Sequence, residues 1–68
     1  MNSSLNLRHL RYFIAAAETK KIQLAAEKVH MSPSAVADAI KSLEGILGTT
    51  LFERHRSGVS LTYDGYRF

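Results

Sequence analysis

The sequence predicts a mainly α-helical domain: three helices, a small β-hairpin, and the start of a truncated fourth helix. Three observations carry this. Apolar residues recur at i, i+3, i+4 and i+7 in three successive stretches before Gly48. After Gly48 the pattern changes to two short, partly β-branched segments, "TTLFER" and "GVSLT", separated by "HRSG". Helix start and stop residues also fall where this division needs them, at Ser32-Pro33 and at Gly48.

The first helix is predicted from about Leu5 or Asn6 to Glu18. Leu7, Leu10, Phe13, Ile14 and Ala17 form its apolar stripe, and Arg8, Arg11 and Glu18 face away. Ser3, Ser4 or Asn6 is placed to cap it. The second helix is short, about Ile22 to Val29, with Ile22, Ala25, Ala26 and Val29 on one side. Its alanines allow another helix to approach closely. Lys20 and Lys21 stand at its start, where a cation opposes the helix dipole and a nearby phosphate would reverse the penalty. His30 and Met31 form a tight turn. Ser32 is the expected N-cap of the third helix, Pro33 its first residue and Gly48 its left-handed stop. Val36, Ala39, Ile40, Leu43 and Leu47 are its inward side. Gly45 weakens its last turns by about 0.5–1 kcal/mol relative to alanine. The hairpin turns at or near Ser57-Gly58, and Thr62 caps the helix that begins "YDGYRF".

Composition narrows the class. Sixty-eight residues make one small domain, and without cysteine neither a disulfide nor a thiolate metal site is there to staple it. An apolar fraction of 46% is too high for a disordered chain. No run approaches a membrane span or a signal peptide, so a cytoplasmic protein without a membrane partner is expected. The net charge is +3, spread as +3 over residues 1–31, −1 over residues 32–48 and +1 over residues 49–68. Positive charge thus flanks the third helix and avoids it, a distribution that suits a polyanion.

Catalytic and metal chemistry find no support. His9, His30 and His55 share no ligand spacing, and there is no phosphate-binding glycine loop or nucleophile elbow. Enzymatic activity is not expected.

Two helices joined by a tight turn and followed by a hairpin make a winged helix-turn-helix. Ala25, Val29, Met31, Val36 and Ala39 fall where that motif needs inward apolar residues, and Ala26 where its helices touch. His30 replaces the usual turn glycine, and histidine tolerates the left-handed region better than bulky residues. The reading helix, about residues 33–47, would enter the DNA major groove with a face of Ser34, Ala37, Asp38 and Lys41. Ser34 suits base edges or phosphate, Ala37 a thymine methyl, Asp38 a cytosine amino group and Lys41 a phosphate. Ser32 and Pro33 offer helix N-terminal N–H groups to the DNA backbone. Lys20 and Lys21 would lie near one strand, with Arg54, His55 and Arg56 in the wing, residues 54–58, beside a phosphate or the minor groove.

Plainer readings stand beside these. Lys20 and Lys21 form a solvated pair, Arg54 and Arg56 protect a hairpin edge, and Asp38 pairs with Lys41, Ser34 or Ser42. Tyr12, Phe13 and Phe52 belong to the core rather than to a stacking platform. The functional alternative is a small helical protein-interaction module that pairs with another regulator. Duplex binding that falls steeply with salt separates the two.

The chain resembles the N-terminal DNA-binding domain of LysR-type transcriptional regulators. The stretches that carry this are "LRHLRYFIAAAE", "LAAEKVHMS", "SAVADAIKSLEGILGTTLFER" and "LTYDG". Leu-Glu, three residues, Gly, two residues and Leu-Phe-x-Arg, followed by Leu-Thr-x-x-Gly, is the most specific part. The departures fall on the reading face, where the family usually has Ser-Gln-Pro-Ala-Val-Ser-Arg-Gln-Ile. Here Pro33 stands for Gln, Ser34 for Pro, Ala37 for Ser, Asp38 for Arg and Ala39 for Gln. Lys21 and Gln23 replace a Ser or Thr near the start of the second helix. Arg56 follows Arg54 by two residues rather than three. The scaffold is kept and the readers are altered, so a target sequence does not carry over. The resemblance implies sequence-specific double-stranded DNA binding for transcriptional regulation in a bacterial cytoplasm. It places the DNA-binding domain at residues 1–61 and the start of a linker, or dimerisation, helix at residues 62–68. A homodimer or tetramer is implied for the full-length protein, with this fragment monomeric or weakly associated. No cofactor is implied in this chain, since a small-molecule effector would bind a domain absent from it.

Overall fold

A computed structural model describes residues 7–68. The elements run α1 (Leu7–Thr19), α2 (Ile22–Val29), α3 (Pro33–Leu47), β1 (Phe52–His55), β2 (Gly58–Leu61) and α4 (Tyr63–Arg67). The proposed caps Ser3, Ser4 and Asn6 lie outside the described residues, as does any helix start at Leu5.

The core face of α1 differs from the predicted stripe. Tyr12, Phe13, Ala15 and Ala16 are buried, whereas Leu7 is 76% and Ile14 51% exposed. The unbroken apolar run from Tyr12 to Ala17 leaves the helical phase open, and packing decides it. The Phe13 ring tilts against Phe52 of β1, with centroids 5.3 Å apart. Ala16 is fully buried in the same cluster as Ala25 and Ala26 of α2, where small side chains allow close packing. Tyr12, Phe13 and Phe52 are core residues, as predicted.

The turn between α2 and α3 is closed by backbone alone. His30 adopts φ 60°, ψ 41°, and its N–H donates to the Ala26 and Glu27 carbonyls. The Met31 N–H donates to the Ala26 carbonyl at 3.0 Å. Turning Met31 back this way leaves its side chain 43% exposed, so it does not enter the core as predicted. Ser32 then caps α3, its hydroxyl accepting from the Ala35 N–H, with Pro33 in the first turn. Val36, Ile40 and Leu43 are buried and Ala39 packs against them, while Leu47, predicted to face inward, is 37% exposed. Gly48 ends the helix at φ 71°.

The two strands are antiparallel, with Phe52 opposite Leu61 and His55 opposite Gly58, so Arg56 and Ser57 form the turn. Glu44 of α3 fixes where the hairpin begins. One of its carboxylate oxygens accepts from the backbone N–H groups of Leu51 and Phe52, at 2.8 and 3.2 Å. Thr62 caps α4 by accepting from the Gly65 N–H. Gly65 is buried, and only glycine fits there because a Cβ would lie 2.1 Å from the Leu51 carbonyl oxygen. Phe68 completes the attachment, edge-on to Phe13 at 5.2 Å.

Candidate nucleic-acid interface

The wing is tied to the connection between α1 and α2. Lys20 takes the left-handed conformation, φ 63°, which costs a residue with a Cβ about 1–2 kcal/mol. Two backbone hydrogen bonds hold it there: its N–H donates to Ala16, and its carbonyl accepts from Val59 at 2.9 Å. Gly58 lies over the same carbonyl at φ 146°, where a Cβ would be 2.2 Å from the oxygen. Strand β2 therefore rests on the backbone that leads into α2.

This contact creates an open groove between the start of α2 and the wing. Lys21 and Gln23 line one side, and Arg54, His55 and Arg56 the other. No acidic side chain lines it. Lys21 is the N-cap of α2 and gives no side-chain cap, while its own N–H donates to the Thr19 hydroxyl oxygen at 3.4 Å. Lys21, Arg54 and Arg56 have no ion-pair partner among the described residues, unlike Lys28, which pairs with Glu18. The His55 Nδ1 lies 3.1 Å from the Ser57 hydroxyl, which orients the ring at the wing tip.

Two adjacent lysines are separated by this geometry. Lys21 belongs to the cationic groove. Lys20 instead lines another hollow with Ala17, Phe52, Ser60 and Leu61.

The remaining candidate residues lie on α3. Ser32, Pro33, Ser34, Asp38 and Lys41 are exposed and Ala37 is half-buried. Ser34 and Ser32 bring their hydroxyls to 3.3 Å at the helix start. Asp38 and Lys41 lie on the side of α3 opposite Val36, Ile40 and Leu43. No hydrogen bond or ion pair joins Asp38 to Lys41, Ser34 or Ser42. The groove is lined by α2 and the wing, and α3 does not contribute to it.

Glu44, Gly58 and Gly65 position the site; the sequence places Gly58 only at the hairpin turn and gives no role to Glu44 or Gly65. Glu44 and Gly65 do lie inside the Leu-Glu and Leu-Thr-x-x-Gly stretches. Spacing alone does not show that one aims a carboxylate at a strand and the other admits a carbonyl.

The pattern of the bacterial regulatory helix-turn-helix proteins, lysR family, matches residues 7–66. The chain belongs to the LysR family. This is a family of transcriptional regulators rather than of enzymes. The domain is 42% identical over 65 residues to the transcriptional regulator BsdA of Bacillus subtilis, covering 94% of this chain and 22% of BsdA. It is 45% identical over 64 residues to ClcR of Pseudomonas putida, again covering 94% of this chain and 22% of the relative. The LysR-family chain thus spans about a fifth of the length of these curated relatives. Its fold superposes on the DNA-binding domain of CbnR in a crystal structure with DNA, with a TM-score of 0.91 and 38% identity. That match covers 94% of this chain and 74% of the CbnR domain. Four helices and an antiparallel hairpin agree with the winged helix-turn-helix expected from the sequence. No helix among the described residues is long and apolar enough to cross a membrane. No group of three or more His, Cys, Asp or Glu among them could hold a metal ion.

Proposed function

We propose that this domain binds double-stranded DNA and regulates transcription in a bacterial cytoplasm. The groove in which Lys21 and Gln23 meet Arg54 and Arg56, with no carboxylate to neutralise them, is the observation that carries this reading. A phosphate strand satisfies those cations. Helix α3 then reads the major groove, with Ser32 and Pro33 at the backbone, Ser34, Ala37 and Asp38 toward base edges and Lys41 on a phosphate. Small side chains on that face let the helix sit deep. The similarity to CbnR, whose DNA-binding domain was crystallised with DNA, supports the assignment.

The same reading divides the chain into the DNA-binding domain, residues 1–61, and the start of a linker helix, residues 62–68. Tyr63 and Tyr66 are 72% and 80% exposed on α4, which suits a helix that continues and pairs with a second copy. Our reading for a full-length regulator that contains this domain is a homodimer or tetramer, with the domain by itself monomeric or weakly associated. No cofactor is assigned to this chain, and an effector would bind elsewhere in the full-length protein.

Titration of duplexes of unrelated sequence with the Arg54→Ala/Arg56→Ala variant tests the interface. Affinity is expected to fall about equally on all of them, because phosphate contacts position without reading sequence. Unchanged affinity would remove the wing from the interface.

A further inference from the structure

We infer that Asp38 selects a cytosine in the bound duplex, a deepening that rests on the DNA-binding reading above. Asp38 is the sixth residue of α3, within the part of a reading helix that reaches base edges. It is exposed and faces away from the core. Lys41, three residues on and a natural partner for a surface ion pair, does not pair with it. Ser34 turns its hydroxyl toward Ser32 instead. The Asp38 side chain therefore has no partner within the domain among the described residues, and a carboxylate on this face opposes the negative field of a duplex. A hydrogen-bond donor on a base edge offsets that repulsion.

The major groove offers two such donors, the amino groups of cytosine and adenine. Adenine places the N7 acceptor beside its amino group, and a carboxylate facing that edge meets a lone pair with its second oxygen. Cytosine presents its amino group with no acceptor beside it on the same base. A carboxylate at this place therefore favours cytosine. An amide, which both accepts and donates, suits adenine. Ala37, half-buried next to Asp38, adds no polar group that would compete.

Selection of bound sequences from random duplexes, with the chain and its Asp38→Asn and Asp38→Ala variants, tests this. The wild-type chain should enrich cytosine at one position, by about tenfold over the other bases. Asp38→Asn should move that position toward adenine, and Asp38→Ala should leave it without preference. The other enriched positions should not change. Both substitutions fall on an exposed side chain without partners, and matching thermal melts confirm that the fold is kept. The same enriched bases from all three proteins would overturn the inference while leaving DNA binding intact. No enrichment and no salt-sensitive binding by the wild-type chain would overturn the functional reading itself.

Discussion

Glu44 places the hairpin with a single carboxylate oxygen shared by two backbone N–H groups. Both N–H groups precede or open β1, and Leu51 is fully buried. Glu44→Ala leaves them without their acceptor. Thermal or denaturant unfolding should show a loss of about 1–3 kcal/mol, and the Leu51 and Phe52 amides should exchange faster with solvent. Gly45, the next residue, behaves oppositely. A Cβ there would meet nothing within 4 Å, and the residue has ordinary helical backbone. Gly45→Ala should raise stability by about 0.5–1 kcal/mol in the same assay, through lower entropy of the unfolded chain. A destabilised Gly45→Ala would mean that this turn packs more tightly than its open surroundings indicate.

The elements differ in how far they were legible before the fold was known. Helices α2 and α3 were readable to their ends, and every boundary except the start of α2 has its own chemistry. Ser32-Pro33 starts α3, Gly48 stops it, and His30 supplies the left-handed turn. Helix α1 was readable as a helix, but not its inward side. Six consecutive apolar residues fit several phases, and the choice depends on Phe52 and on the alanines of α2, which lie far along the sequence. The candidate site was legible as a set of residue types. Its division was not, because Lys20 and Lys21 are neighbours in sequence and line different hollows in the fold. What separates them is the left-handed turn at Lys20 and the seat of Gly58 on its carbonyl. Gly58→Ala puts a Cβ against that oxygen at a φ that side chains rarely adopt. It should destabilise the domain by more than about 1 kcal/mol. It should also weaken DNA binding beyond the fraction unfolded, since the wing no longer rests beside α2.

At the scale of the molecule, charge and shape are separated. The cations assigned to phosphate are Lys21, Arg54 and Arg56 around the groove and Lys41 on α3, while the centre of the reading face is short and nearly neutral. Affinity then comes mainly from counterion release, and sequence preference from a few contacts of α3. Four phosphate contacts imply that log K falls with log salt at a slope of roughly −3.6. The most direct test is to measure that slope for the chain and for Arg54→Ala/Arg56→Ala on one duplex. The expected result is a steep wild-type slope that becomes shallower by about 1.8 in the double variant, two contacts having been removed. Equal slopes for the two proteins, or wild-type binding insensitive to salt, would contradict the account.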